Sequence, residues 1–170
     1  SLQLADDTYS FTVTATDAAG NTSTASDPVA FTIDTTAPGK PTISTSSTTT
    51  NVTTPTISGT AEINSTINLI SNGSSIGTAT TDSSGNFSVT PSSELAEGSY
   101  SLTVTATDAA NNVSDSSNAV AFTIDTTAPG KPTISTEATI TNDSTPTVTL
   151  NAEPNSDVRV FVQRTDGGVT

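Results

Sequence analysis

Apolar residues fall at every second position over several short stretches of this chain. Tyr100, Leu102, Val104 and Ala106 share one face of an extended segment, and Ser101, Thr103, Thr105 and Thr107 share the other. Val120, Phe122 and Ile124 repeat the alternation one strand later. Phe87 with Val89 and Ile67 with Leu69 supply two shorter strands; Ile57 marks another, and Ile43 a first strand entered through Pro41. A period of two is what a strand with one buried face produces. The breaks carry turn chemistry: Asn72-Gly73, Ser84-Gly85, Glu97-Gly98 and the Ser/Thr stretch Ser46 to Thr50. No segment places apolar residues at helical spacing.

About seven short strands in roughly 90 residues predict an all-β fold, an immunoglobulin-like or fibronectin III-like sandwich. Leu95-x-x-Gly98-x-Tyr100 adds a local expectation, a tyrosine corner whose phenol bonds backbone in the preceding turn. The plainer alternative is a core Tyr after a Gly turn.

The pattern occurs twice. Tyr9 to Thr45 returns almost letter for letter as Tyr100 to Thr136, with Asp17 over Asp108 and Asp34 over Asp125, a period of 108 − 17 = 91 residues. Solenoid coils repeat every ~20–50 residues, so a period this long means whole domains in tandem. Three segments follow: residues 1–34, the C-terminal part of a truncated repeat; 35–125, a complete repeat; and 126–170, the N-terminal half of a third. Only the middle one is expected to close a full core. The cut repeats leave strand edges that can pair end to end between chains.

Composition narrows the partners. Seventeen acidic residues against four basic ones give a net charge of −13. Nucleic-acid binding needs a basic face, which this chain cannot supply. Cations suit it better. With no Cys and no His, disulfides, thiolate or imidazole metal ligands and the common nucleophile–base pairs are excluded. No apolar run approaches the ~20 residues of a membrane span, so no membrane insertion is expected of this segment.

Three motifs, in order, resemble a known family. Asp34-Thr35-Thr36-Ala37-Pro38 and Asp125-Thr126-Thr127-Ala128-Pro129 match the junction of bacterial Ig-like repeats in giant surface adhesins. Ala15 to Asn21, and Ala106 to Asn112 with Asn111 in place of Gly, match its Ala-Thr-Asp-Ala-Ala-Gly-Asn segment; Gly59 to Glu62 matches its Gly-Thr-Ala-Glu turn. The third repeat departs there, reading Leu150-Asn151-Ala152-Glu153. The resemblance implies a large extracellular protein of the bacterial cell surface, often exported through a type I system, whose repeats are joined by calcium ions. Its partners are then the adjacent repeats of the same polypeptide.

Calcium takes six to eight oxygen ligands, so a site must bring several carboxylates together. Traced as a sandwich, the middle repeat sends the loops Ala61 to Ser65 and Thr107 to Asn118 to the end where the chain enters after Asp34. Asp34, Glu62 and Asp108 are therefore expected to converge at that seam as metal ligands. Asp125 and Glu153 are the equivalents at the next seam, and Asp17 is the counterpart left from the first repeat. Asn112, Asp82 and Asp115 are secondary candidates. Glu97 and Asp6 belong to the opposite pole and are read first as solvated turn residues, with a reach to the following junction from behind as the alternative. The competing reading is that each Asp simply forms a turn by bonding its own backbone.

The function expected is a spacer stiffened by calcium. A different class is direct ligand binding, with the outer row Thr103, Thr105 and Thr107 recognising a carbohydrate or ice. Catalysis would be left with carboxylate pairs, and no cleft for a substrate is evident, so no enzyme activity is expected.

Overall fold

A computed structural model of the chain describes residues 3–137 and 140–163. The last residues assigned to the third repeat, 164–170, lie outside them. The structure is all β among the described residues, and it forms two compact units, Ser1–Thr126 and Thr127–Thr170. Twelve strands are described. The first two are β1 (Asp7–Phe11) and β2 (Val29–Ile33). The middle repeat holds β3 (Thr42–Ile43), β4 (Thr48–Thr50), β5 (Ile57–Thr60), β6 (Thr66–Ser71), β7 (Ser74–Thr80), β8 (Asn86–Val89), β9 (Gly98–Thr107) and β10 (Val120–Ile124). The second unit holds β11 (Thr133–Ile134) and β12 (Leu150–Asn151).

Two sheets make the middle sandwich: five strands in the order β4-β10-β9-β6-β7 and three in the order β3-β5-β8. The alternating residues meet between them. Ile57, Phe87 and Val89 come from the small sheet, and Ile67, Leu69, Leu102, Val104, Ala106, Val120 and Phe122 from the large one. Each fully buried Leu, Ile or Phe contributes about 1.5–3 kcal/mol over its exposed state, and this cluster supplies the cohesion that a disulfide-free chain needs. Within the small sheet the neighbours of Gly59 leave no room for a side chain: a Cβ there would lie 2.0 Å from the Thr42 carbonyl and 2.7 Å from the Phe87 ring. Tyr100 Oη donates to the Ala96 carbonyl at 2.9 Å and Tyr9 Oη to that of Ala5 at 3.0 Å, so both repeats carry the expected corner.

Two strands were not expected. Thr48–Thr50 lies in a stretch read as a break, yet it pairs in parallel with β10. Ser74–Thr80 pairs with β6. Neither shows the apolar alternation of a buried strand: β4 is all Thr, and β7 offers Ile76 and Ala79 on a Ser/Thr background. Both sit at edges of the large sheet, where backbone pairing matters more than burial. The outer Thr row also differs from a freely exposed one. Thr105 is only 9% exposed and Thr103 and Thr107 are half-buried, because β9 is central and neighbouring strands crowd its outer face.

Beyond Leu102, β10 no longer pairs with β9, and serines take over. Ser117 Oγ accepts from Val104 N–H at 3.0 Å and Ser114 Oγ from Ala106 N–H at 2.9 Å. Their own N–H groups donate to the carbonyls of Val104 and Ala106, both at 2.9 Å. The first segment repeats the device with Ser26 on Val13 and Ser23 on Ala15. In the second unit, β11 pairs with β12 in the register that β3 and β5 use, with Ile134 opposite Leu150 as Ile43 is opposite Gly59.

Candidate functional site: the seam between repeats

One turn is built three times from Asp-x-x-(Gly/Asn)-Asn. In Asp108 to Asn112, the Asp108 carboxylate accepts from the N–H groups of Ala110 at 2.8 Å and Asn112 at 2.9 Å, and from Asn112 Nδ2 at 2.9 Å. Asp17 does the same with Ala19 and Asn21, and Asp82 with Ser84 and Asn86. The fourth residue takes the left-handed conformation in each: Gly20 at φ 91, Gly85 at φ 79, Asn111 at φ 71. Glycine and asparagine tolerate it, which fixes the residue types there. Hydrogen bonds to the charged form hold all three carboxyls below the usual range. The leading donor is the Asn112 side chain for Asp108, the Asn21 side chain for Asp17 and the Asn86 backbone for Asp82.

Among the described residues, the 108–112 turn is the one of the three that also reaches the linker. Asn112 Nδ2 donates to the Asp34 carbonyl at 3.0 Å while holding Asp108 Oδ2. Asp34 Oδ1 accepts from Thr36 N–H at 3.1 Å. From the other side, Asp6 grips the linker threonines: Oδ1 accepts from Thr35 Oγ1 at 2.7 Å and Thr35 N–H at 3.1 Å, and Oδ2 from Thr36 Oγ1 at 2.8 Å. Its carboxyl is pulled below the ordinary value, first by the Thr35 hydroxyl and then by that of Thr36. One period later Glu97 Oε2 accepts from Thr126 Oγ1 at 3.1 Å and Thr126 N–H at 3.4 Å. Asp6 and Glu97 thus take the alternative role, reaching the following junction from behind, and the preference for a solvated turn is corrected; an acidic residue three positions before its strand's apolar run lies beside the chain leaving that sheet. Lys40 Nζ further donates to Asn118 Oδ1 at 3.0 Å.

Of the predicted ligands, the backbone carbonyl of Asp34 and the carboxylate of Asp108 are joined through the Asn112 amide. Glu62 sits in a neighbouring turn and is used there through its carbonyl, which accepts from Ser65 Oγ at 2.7 Å and Thr81 Oγ1 at 2.8 Å. Asp17 holds its own turn. Asp125 N–H donates to the Thr50 carbonyl at 3.0 Å. In the second unit Glu153 Oε2 accepts from Gly130 N–H at 3.2 Å. Among the described residues, no three acidic side chains form a group able to hold a metal ion. The donor chemistry at Asp34 and Asp108, carbonyl and carboxylate oxygen, suits calcium, but the Asn112 amide bridges one carboxylate, that of Asp108, to the backbone carbonyl of Asp34, whose own carboxylate holds Thr36 N–H. Asn112, ranked as secondary, is the hub; its signal was the recurrence of Asn four residues after each turn-forming Asp.

The chain is 39% identical over 132 residues to chitinase A1 of Niallia circulans, a match that spans 72% of this chain and 18% of that protein. Solved structures with a related course include fibronectin(III)-like modules of Clostridium thermocellum CbhA, with TM-score 0.48, 15% identity, and 71% of this chain and 64% of that one covered. A tetra-tandem repeat from the extending region of a large adhesion protein gives TM-score 0.43 and 26% identity over 78% of this chain and 36% of the other. The BSP domain of a biofilm associated protein gives 0.41 and 21%, over 74% and 20%. The model of the bacterial Ig-like domain matches twice, over residues 1–35 and 40–126, and the chain belongs to that family.

Proposed function

We propose that this chain is a spacer from a secreted bacterial surface protein of the adhesin kind, in which tandem Ig-like repeats hold a terminal activity away from the cell. The observation that carries the reading is the two-sided grip on the linker, Asp6 on Thr35 and Thr36 from the repeat behind and Asn112 on Asp34 from the repeat ahead. A short linker between sandwiches leaves relative motion open by default. Bonds from both neighbours remove that freedom, which is what an extender needs and a ligand-binding loop does not. The partners are the adjacent repeats themselves.

Calcium at the seam is part of the same proposal. Its support is the oxygen chemistry of Asp34 and Asp108, the family resemblance of the linker and a net charge of −13, which a divalent cation would relieve. An ion there would compete with the hydrogen bonds that already occupy Asp108, so a weak site of the extracellular kind is expected, with Kd on the order of 10⁻⁴–10⁻³ M. Small-angle scattering of the chain and of the Asp6→Ala/Asn112→Ala double variant tests the spacer; equal spread of inter-repeat angles in the two rejects it. Calorimetric titration with calcium, with Asp34→Ala as control, tests the ion separately. Heat that survives Asp34→Ala, or no heat at all, removes calcium and leaves the hydrogen-bonded spacer standing.

A further inference from the structure

A strand that adds nothing apolar to the core needs another reason for its place in the sheet. β4 is three threonines, Thr48–Thr50, and none belongs to the buried cluster. The chain reaches it by changing sheets. β3 pairs with β5 in the small sheet, Thr42 opposite Thr60 and Ile43 opposite Gly59; the backbone then crosses to the large sheet and lies beside β10. The crossing is stitched on both sides. Ser44 N–H and Ser44 Oγ donate to the Ser58 carbonyl at 2.9 and 3.1 Å, and Ser58 N–H donates to Thr45 Oγ1 at 2.7 Å. Ser47 Oγ then accepts from Ala121 N–H at 3.1 Å.

The choice of partner gives the reason. β10 is the strand by which the chain leaves the middle repeat, and β4 follows directly on the strand by which it enters. The two run parallel, Phe122 opposite Thr48, Thr123 opposite Thr49 and Ile124 opposite Thr50. Asp125 N–H donates to the Thr50 carbonyl at 3.0 Å. The far end of β4 is pinned as well: Thr50 Oγ1 accepts from Val52 N–H at 3.1 Å, and the Thr53 carbonyl accepts from Leu95 N–H at 2.9 Å. Tension along a tandem array draws the linker before Pro41 out of one pole and Asp125 out of the other. Entry and exit strands that lie parallel are then slid along each other, and the bonds between them are loaded together. Antiparallel strands whose ends meet at one pole, such as β9 and β10 with Gly98 opposite Ile124, would open pair by pair if pulled apart there.

We propose that β4 and β10 form a shear clamp, which makes the middle repeat a load-bearing unit against tension along the array. The inference rests on the spacer reading, since a spacer between a cell and an attached tip carries that tension. Resistance to force follows the rate of unfolding, which equilibrium stability does not fix. A strand that buries little can therefore decide it. Three consecutive threonines suit the task, because β-branched side chains favour extended backbone without needing a core to fill.

Single-molecule pulling of the full chain tests this. The chain has no Cys, so Ala37→Cys with Ala128→Cys grips the middle repeat at matching linker positions and loads it along the array. Glu94→Cys with Ala128→Cys loads the same fold so that β10 peels from β9, beginning at Ile124. Peeling is expected to need severalfold less force than axial loading at the same pulling rate. Ser47→Ala/Thr50→Pro removes the hydroxyl that Ala121 N–H uses and one backbone donor of β4. It should bring the axial force down toward the peeling value and change the peeling force far less. Equal forces in the two directions overturn the clamp, and that contrast needs no variant that weakens the fold. A folded Ser47→Ala/Thr50→Pro chain that keeps the axial force of its parent overturns it as well. Neither result touches the spacer reading, which the scattering of the linker variants decides.

Discussion

The strand pairs β1–β2 and β9–β10 carry almost the same sequence in the same register. Tyr9 lies opposite Phe31 as Tyr100 lies opposite Phe122, and Val-Ala-Phe-Thr-Ile is identical in β2 and β10. Both keep the tyrosine corner and the serine hydroxyls on the next stretch of strand. Their burial is opposite: Phe31 is 54% exposed and Phe122 3%. Phe11 packs edge-on against Phe31 at 5.5 Å, which is the burial two strands can give each other. Local hydrogen-bonded form is therefore a property of the segment, whereas core membership is a property of the strands that arrive from elsewhere.

The sharpest break of this comparison is a cavity placed in each copy. Leu102→Ala should destabilise the middle sandwich by about 2–5 kcal/mol, the range for a fully buried Leu. Phe11→Ala, at the equivalent position, should move the same denaturant midpoint by no more than about 0.5 kcal/mol, as surface changes do. Equal losses would mean that the first segment shares the middle core.

A smaller difference should appear at the serines. Ser117→Ala leaves the Val104 N–H buried without an acceptor, a loss of about 1–3 kcal/mol. Ser26→Ala leaves Val13 N–H open to water, with little change in urea unfolding. Tyr100→Phe removes one bond to Ala96 at a net loss of about 0.5–1.5 kcal/mol; Tyr9→Phe should be close to silent in the same measurement.

These contrasts also mark what the sequence could disclose. The sandwich, the corner and the pole at which Asp34 meets the 108–112 turn were legible because each rests on a period, a turn residue or a strand order. Thr48–Thr50 and Ser74–Thr80 were not, since edge strands satisfy backbone groups without needing an apolar face. The seam was legible in place but not in detail. Asp108 was read for its charge, and its oxygens go to its own turn; Asn112, neutral and easily passed over, joins the turn to the linker. For Asp6 and Glu97 the reach to the junction ranked below a solvated turn because their partners, threonines 29 residues away, become neighbours only when Asp7–Phe11 pairs with Val29–Ile33 and Gly98–Thr107 with Val120–Ile124.

The finest test concerns pH at the seam. Asp6 is fully exposed, so its bonds to Thr35 and Thr36 order the linker without adding measurably to global stability. Its carboxyl lies below the ordinary carboxylate value because the Thr35 and Thr36 hydroxyls and the Thr35 N–H favour the charged form. A depressed carboxyl contributes its grip fully above its ordinary value and loses it as pH falls through the lowered folded value. Between neutral pH and the ordinary carboxylate range, the inter-repeat angle should therefore hold constant in scattering. Below that range it should broaden while the middle sandwich stays folded, and Asp6→Asn should show the broadened state at every pH, since an uncharged amide holds the threonine hydroxyls less strongly. Broadening that begins near neutrality, or an Asp6→Asn chain as ordered as its parent, would move control of the linker from Asp6 to Asn112 alone.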